Sequence, residues 1–117
     1  MQIGELARKT GASARALRHY EERGLLVPER SRGGGYRDYT SEDIVRVAQI
    51  KTMIDAGLTT AAVKRYIDCA RDGDHGMWLE LCPNLRAELA SLSECLDARQ
   101  AELYERQQRL HDLTSAG

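Results

Sequence analysis

The chain contains 117 residues, a length that suits one ordinary domain or a small domain with an appended element. Charged residues make up 30% and hydrophobic residues 42% of it, which is typical of a globular protein and excludes a disordered one. Phe is absent, and the aromatic residues are five Tyr and one Trp, so we expect a small aliphatic core. No apolar run is long enough to span a bilayer, and the N-terminus lacks the layout of a secretion signal, so we expect a cytoplasmic protein with no membrane partner.

The formal net charge of −1 conceals an asymmetry along the chain. Residues 1–37 carry eight Lys or Arg and four Glu, a net charge of +4, whereas residues 76–117 carry four Arg and seven acidic residues, a net charge of −3. A basic front end joined to an acidic back end is typical of a nucleic-acid-binding unit with a separate assembly element. The same asymmetry also fits ordinary surface variation, so charge alone leaves both interpretations open.

Two short helices joined by a tight turn are predicted at the N-terminus. Apolar residues recur at helical spacing over residues 2–8, after which Gly11 suits a left-handed helix end. Ser13 is suited to cap a second helix over residues 14–23. A short helix, a glycine turn and a second helix with a basic outer face form a helix-turn-helix. The predicted outer face of the second helix contains Arg15, Arg18 and His19.

The next segment favours a small β-hairpin followed by two more helices. Pro28 and three consecutive glycines interrupt any helix, so residues 25–27 and 36–39 are predicted as two short strands. A third helix is predicted from a cap at Thr40 or Ser41 to Gly57, and a fourth opens at residues 58–60. A polar, glycine-containing linker is predicted after it. The expected buried residues of the two helices are Ile44, Val47, Ile50, Met53 or Ile54, Ala62, Val63, Tyr66 and Ile67.

The C-terminal segment has the clearest pattern. Pro83 suits the first turn of a helix, and neither Gly nor Pro follows before Gly117. Nine positions from 85 to 113 alternate in steps of four and three, which is a coiled-coil repeat, and all except Arg99 and Arg106 are leucine. A helix over residues 83–113 would be about 46 Å long, too long for the preceding unit to cover. We therefore expect a second copy to cover it, the alternative being packing along its own domain. The predicted dimerisation residues are Leu85, Leu89, Leu92, Leu96, Leu103, Leu110 and Leu113.

Two runs of sequence carry a family resemblance: IGELARKTGASARALRHYEERGLL and GGGYRDYTSEDIVRVAQIKTMIDAGLTTAAVKRYI. Together they resemble the N-terminal domain of the mercury-resistance regulator (MerR) family over residues 2–68. The resemblance implies a mostly α fold with a small β-hairpin wing. It implies a winged helix-turn-helix DNA-binding domain (residues 1–70), a hinge or linker (residues 71–82) and an antiparallel coiled-coil dimerisation helix (residues 83–113).

The resemblance also implies a function: a homodimer that binds a pseudo-palindromic promoter, bends and untwists the spacer DNA, and so acts on RNA polymerase indirectly. The DNA contacts that the resemblance implies position the protein and deform the DNA more than they read its sequence. His19 is a departure, since members commonly have Tyr there. For Tyr20 and Tyr39 a purely structural role in the core stays open. The implied DNA-contacting residues are Ser13, Ala14, Arg15, Arg18, His19, Tyr20, Tyr36, Arg37, Tyr39, Thr59 and Thr60.

Three cysteines raise the question of an effector. Cys69 and Cys82 flank the predicted linker, where a dithiol would bind a soft metal ion, together with His75, or close into a disulfide under oxidant. Cys95 is predicted to be a small buried hydrophobe beside the leucine positions. The cysteine sets of the metal-sensing and iron–sulfur members are not matched, so no cofactor is assigned with certainty. Three buried, unreactive thiols remain the alternative.

The sequence is compatible with three functions. The first is a regulator that answers a thiol-reactive signal, the second a DNA-binding regulator without an effector, and the third a coiled-coil interaction protein that does not bind DNA. An enzyme is not expected, because the predicted fold assembles no nucleophile with a base, and the glycines at 33–35 lack the flanking strand and helix of a phosphate-binding loop.

Overall fold

The structure is a computed structural model that describes residues 1–27, 29–30 and 37–115, with the backbone alone described at residues 29, 30 and 37. It divides into two compact units, Met1–Glu80 and Leu81–Gly117, which we call the N-terminal and C-terminal units. In these described ranges, no helix combines the length and the apolar character that crossing a membrane requires.

The helix-turn-helix forms as predicted from α1 (Ile3–Thr10) and α2 (Ala14–Glu22). Gly11 ends α1 with a φ of +75°, a left-handed conformation that glycine adopts without strain, and its N–H donates to the Ala7 carbonyl. The Ser13 hydroxyl accepts the Ala16 N–H at 3.0 Å and so caps α2. Gly11 therefore sets the end of α1, and Ser13 sets the start of α2.

The wing is a short antiparallel hairpin of β1 (Glu29–Arg30) and β2 (Arg37–Asp38). The prediction of a strand at residues 25–27 is wrong, since Leu25 and Leu26 lie in a loop and are both 2% exposed. Two successive buried side chains do not fit a half-exposed strand, in which neighbouring side chains point to opposite faces. Residue 36 of the predicted second strand lies outside the described residues, and so do all three glycines.

The other two helices of this unit also form as predicted, as α3 (Ser41–Asp55) and α4 (Thr60–Tyr66). The Thr40 N–H donates to the Asp43 carboxylate at 2.9 Å, which completes the start of α3, and the Thr59 hydroxyl caps α4. A 3₁₀ turn, Ile67–Cys69, follows α4. The core of the unit contains Leu6, Leu17, Leu25, Leu26, Tyr39, Val47, Ile50, Met53, Leu58, Ala62, Val63, Tyr66 and Ile67.

A second hairpin occupies most of the segment that the sequence predicts as a linker. Its strands are β3 (Ala70–Gly73) and β4 (Gly76–Leu79), paired antiparallel. Arg71 contacts the Glu80 carboxylate at 2.9 Å, and a Cβ added at Gly73 would lie 3.3 Å from the Trp78 ring. The Trp78 indole is 54% exposed, whereas Met77 and Leu79, which point to the other face of β4, are half-buried.

The C-terminal unit is dominated by one helix, α5 (Pro83–Ser115), whose 33 residues extend about 50 Å. Leu85 is its one buried residue among those that the structure describes. The long helix predicted from the leucine repeat is therefore present, and most of its leucines are in contact with solvent.

Candidate nucleic-acid interface

The outward face of α2 is basic. Arg15, Arg18 and His19 are all exposed, while Leu17 and Tyr20 on the opposite face are 0% and 7% exposed. Residues three and four apart share one face of a helix, so the two arginines and the histidine form one surface. We call Arg15, Arg18 and His19 the basic face of α2. Because a buried leucine and tyrosine anchor the helix from behind, this face has a fixed orientation on the N-terminal unit.

The start of α2 belongs to the same surface. Ser13 is exposed and Ala14 is half-buried. The Ser13 hydroxyl oxygen accepts the Ala16 N–H, so it orients the first turn and retains its own proton for donation. Small side chains at this end allow close approach of another molecule to the helix, which is how a recognition helix presents its N-terminal residues to a major groove.

Two of the predicted DNA-contacting tyrosines lie in the core. Tyr20 is 7% and Tyr39 2% exposed, and the Tyr39 hydroxyl donates to the Glu21 carboxylate on α2. The α-amino group of Met1 donates to the Tyr39 carbonyl at 2.7 Å. Burial, and to a smaller extent the charge of Asp55, raises the pKa of the Tyr20 phenol above its ordinary value of 10. Tyr39 therefore joins the base of the wing to α2.

The structure describes only some of the remaining residues that are predicted to contact DNA. Tyr36 and the side chain of Arg37 lie outside the described part of the chain, whereas the Arg37 backbone pairs with Arg30. Thr59 is exposed and its hydroxyl accepts the Ala62 N–H at 3.2 Å, and Thr60 is half-buried. The threonine hydroxyl thus has a capping role, which leaves the amides of the first turn of α4 as the groups that could meet a phosphate.

Two lysines that the sequence did not single out reach the helix-turn-helix from neighbouring helices. The Lys51 ammonium on α3 donates to the Gly11 carbonyl at 3.5 Å. The Lys64 ammonium on α4 approaches Gly24, where an added Cβ would lie 3.0 Å from it. Each adds positive charge close to an end of α2. Their signal in the sequence is weak, because a lysine on a helix is usually an ordinary solvated residue.

The family model described as "MerR HTH family regulatory protein" matches residues 1–69. The chain belongs to the MerR family. The resemblance is thereby confirmed, and the matched family is one of regulatory proteins.

Two curated MerR-like relatives are partial matches. The chain is 42% identical over 67 residues to nodulation protein NolA of Bradyrhizobium sp. (strain NC92), covering 57% of this chain and 28% of that protein. It is 39% identical over 74 residues to the HTH-type transcriptional regulator AdhR of Bacillus subtilis (strain 168), covering 63% of this chain and 53% of AdhR. The chain therefore spans about half or less of these relatives.

A solved structure matches the fold over the whole length. It is the N-terminus of MtaN, the Bacillus subtilis multidrug transporter activator, with a TM-score of 0.70 and 26% identity. The match covers 99% of each chain. The mostly helical fold with a winged helix-turn-helix and a long C-terminal helix is thereby confirmed for this MerR-family chain.

The cysteines of this MerR-family chain are three free thiols. Cys69 is half-buried, and Cys82, at the start of α5, is exposed, with its sulfur accepting the Leu85 N–H at 3.4 Å. The prediction that Cys95 is buried is wrong for the single chain, because α5 leaves this side chain exposed. The leucines around Cys95 have no cover from within the C-terminal unit.

His75 does not join Cys69. The Glu80 N–H donates to the Cys69 carbonyl at 2.9 Å, so Cys69 lies at the open end of the second hairpin. His75 belongs to the turn at the other end, four residues of strand and about 13 Å away. Within the described ranges no three His, Cys, Asp or Glu side chains are grouped so that they could hold a metal ion. The predicted three-ligand set is therefore corrected to two thiols at most.

Proposed function

We propose that this chain is a transcription regulator that binds a pseudo-palindromic promoter as a homodimer and distorts the spacer DNA. The observation that carries the proposal is the basic face of α2, which is exposed and anchored from behind by a packed helix-turn-helix. The MerR-family match over residues 1–69 supports the same function. The exposed thiols of Cys82 and Cys95 fit the reducing cytoplasm, which is the compartment we propose.

Arg15 and Arg18 are proposed as the main contacts in the major groove. An arginine forms paired hydrogen bonds to a guanine edge or to a phosphate, and both side chains point away from the core. Ser13 and Ala14 lie at the end of α2 that would enter the groove first, and His19 extends the surface towards a phosphate. Tyr20 and Tyr39 are proposed to act indirectly, from within the core, by fixing the orientation of α2 and of the wing.

Distortion of the DNA requires phosphate contacts outside the major groove. We propose that Tyr36 and Arg37 of the wing and the amides at Thr59 and Thr60 supply them. Contacts on both sides of α2 would hold the backbone at separate points, so that the protein selects DNA that deforms easily. RNA polymerase would then be affected through the shape of the promoter rather than by direct contact.

The homodimer is supported by α5. Leu96, Leu103 and Leu110 are 51–63% exposed, which is unusual for a leucine row on one helix face. A second copy has the same row, and pairing would hold two basic faces at a fixed separation, as two half-sites require. The dimer is therefore part of the DNA-binding proposal.

The test is a binding titration on DNA selected from a random pool with the wild-type chain. We expect Arg15→Ala and Arg18→Ala each to weaken binding by about tenfold. A variant that loses a phosphate contact should also lower the slope of log affinity against log salt concentration by about one. Arg86→Ala, an exposed arginine of α5, is the matched control and should bind like the wild type. Failure to select any DNA, or equal affinity for all variants with no salt dependence, would favour a coiled-coil interaction protein.

For the effector, we propose a thiol-reactive signal at Cys69 and Cys82. The second hairpin returns the chain to the Cys69 carbonyl at Glu80, and Cys82 follows only two residues later. Peroxide would oxidise the two thiols to one disulfide, with release of two waters, and a soft metal ion would instead be bound by the two thiolates. Either event changes the segment that precedes α5.

Thiol mapping tests the effector proposal separately from DNA binding. After peroxide or Hg²⁺ treatment, Cys69 and Cys82 should resist alkylation while Cys95 stays reactive, and DNA affinity should change. The Cys82→Ser variant should bind DNA normally and lose the response, whereas Cys95→Ser should keep it. Unchanged alkylation and DNA affinity under both treatments would identify a regulator without an effector of this kind.

A further inference from the structure

The C-terminal end of α2 is closed by two backbone hydrogen bonds. The Gly24 N–H donates to the Glu21 carbonyl at 3.0 Å, and the Leu25 N–H donates to the Tyr20 carbonyl at 2.9 Å. With a φ of +74° at Gly24, these two bonds form a Schellman motif, which satisfies the last carbonyls of a helix. The Leu25 peptide therefore belongs to the structure that ends α2, the helix with the basic face.

Arg46 of α3 connects this motif to a second segment of the N-terminal unit. Its Nε donates to the Leu25 carbonyl at 3.4 Å, and its Nη1 lies 3.6 Å from the Asp68 carboxylate. A guanidinium presents several N–H groups in a fixed plane, so one side chain holds two partners at the same time. Arg46 thus links the end of α2 with the 3₁₀ turn that contains Asp68.

The backbone around Cys69 is held as one piece with Asp68. Arg71 donates to the Asp68 carbonyl at 2.8 Å and to the Ala70 carbonyl at 2.9 Å, which are the carbonyls before and after Cys69. The Cys69 carbonyl itself accepts the Glu80 N–H at 2.9 Å. Because these bonds hold three successive residues together, a displacement of Cys69 moves Asp68 with it.

Resting on the proposed DNA-binding function and on the proposed signal at Cys69, we propose that Arg46 is a positioning residue that couples Cys69 to the end of α2. The Cys69 side chain is half-buried, so a group attached to its sulfur displaces the 3₁₀ turn and withdraws Asp68 from Arg46. Arg46 then loses the partner that directs it towards Leu25, and the end of α2 opens more often. The basic face loses part of its fixed orientation, and DNA affinity falls.

The ion pair of Arg46 with Asp68 acts on this coupling more than on stability. The Asp68 side chain is 91% exposed, and an exposed ion pair contributes little to the free energy of unfolding. Coupling needs only an interaction that is formed in one state of the chain and absent in the other. Substitution of Asp68 should therefore leave the fold intact and remove the coupling, which separates a positioning role from a structural one.

Alkylation of a single thiol provides the two states for a test. In the full chain with Cys82→Ser and Cys95→Ser, Cys69 is the remaining thiol, and its sulfur adds across the double bond of N-ethylmaleimide. Asp68→Asn removes the charge, and Asp68→Glu restores a carboxylate. Asp72→Asn is the matched control, because Asp72 is an exposed acidic residue of β3. Circular dichroism verifies that each sample is folded.

Amide hydrogen exchange then measures the end of α2 without DNA. Alkylation should accelerate exchange of the Leu25 N–H about fivefold in the parent chain and less than about twofold in Asp68→Asn. Unmodified Asp68→Asn should already exchange as fast as the alkylated parent. Asp68→Glu and Asp72→Asn should respond like the parent. The Gly11 N–H, which donates to the Ala7 carbonyl at the end of α1, should not change in any sample.

The control amide and the variants define the results that contradict the coupling. Unchanged exchange at Leu25 after alkylation, or equal acceleration in Asp68→Asn, would overturn the role of Arg46. Equal acceleration at Gly11 would overturn it as well, because it would show a general loosening of the N-terminal unit rather than an effect on the end of α2.

Binding to selected DNA separates the coupling from the proposed function. Alkylation should weaken DNA binding about fivefold in the parent and less than about twofold in Asp68→Asn. Unchanged DNA affinity in the alkylated parent would overturn the control of DNA binding by Arg46 and leave the DNA-binding function standing. If no sample binds DNA, the proposed function fails, and hydrogen exchange alone decides whether Arg46 couples Cys69 to α2.

Discussion

The N-terminal unit and α5 are both helical and leucine-containing, yet they bury their leucines to very different extents. Leu6 and Leu17 of the N-terminal unit are 0% exposed, whereas Leu103 and Leu110 of α5 are 58% and 63% exposed. The difference does not come from residue type. It comes from the location of the surface that covers the leucines. In the N-terminal unit that surface belongs to the same chain, and for α5 we propose that it belongs to a second copy.

The spacing of the apolar residues separates the two cases. In α3 the buried Val47, Ile50 and Met53 line one side of a single short helix that neighbouring helices cover. In α5 the alternation by four and three residues continues for about four heptads, longer than a small unit can cover. Substitutions in the two regions should therefore have different consequences.

Leu103→Glu should have the largest effect. In the proposed dimer each copy loses one buried leucine, worth about 1.5–3 kcal/mol, so a dimer loses about 3 kcal/mol or more and dissociates over a hundredfold more readily. Sedimentation velocity measures this. The control Gln108→Glu adds the same charge on the outer face of α5 and should remain dimeric. Equal dissociation of both variants would remove the distinction between the two faces of α5.

Leu17→Ala should act inside the N-terminal unit. This side chain is completely buried, so its truncation should lower the free energy of unfolding by about 3 kcal/mol, within the usual range of 2–5 kcal/mol. Denaturant unfolding followed by circular dichroism measures it. The matched variant Leu113→Ala, 79% exposed in the single chain, should change stability only in proportion to dimer formation, so its effect should disappear on dilution. A concentration-independent loss at Leu113 would contradict the comparison.

The parts of the fold that could be predicted are those set by local chemistry. Gly11, Ser13 and Thr40 each act within a few residues of their own position, and the helix ends that they indicate are present. The basic face of α2 was predictable for the same reason, because one amphipathic helix reveals which side it buries. Tyr20 and Tyr39 could not be assigned, since a tyrosine suits a core and a phosphate contact equally well.

The parts that could not be predicted depend on contacts between distant residues or chains. In the second hairpin Arg71 pairs with Glu80, and β3 is exposed at three of its four residues and has no apolar alternation to reveal it. Its turn then moves His75 away from Cys69, which linear spacing could not indicate. Cys95 is exposed in the single chain because burial of α5 is not supplied by the C-terminal unit itself.

Ser13→Ala should have a smaller effect than a core truncation. Loss of the hydrogen bond between the Ser13 hydroxyl and the Ala16 N–H removes the cap of α2 and should cost about 1 kcal/mol. Thermal unfolding measures the loss. Ser41→Ala is the control, because Ser41 is exposed and lies inside α3 rather than at its cap. Because the cap also orients the basic face, DNA affinity should fall with stability, and a stable variant with no DNA loss would show that the cap does not position that face.

Tyr20→Phe should have the smallest effect, visible only in alkaline solution. The folded chain raises the pKa of Tyr20 above its unfolded value of about 10, first through burial and second through the charge of Asp55. Between the two pKa values the folded state holds the phenol proton more tightly than the unfolded state does. The corresponding stability is therefore complete below pH 10 and decreases as the pH rises through the folded pKa. The wild type should lose stability above pH 10 more steeply than Tyr20→Phe, measured by urea unfolding at a series of pH values. Because this group belongs to the N-terminal unit, the difference should persist in the Leu103→Glu background. Its disappearance there would mean that the core around Tyr20 depends on the dimer, and that the N-terminal unit is not self-contained.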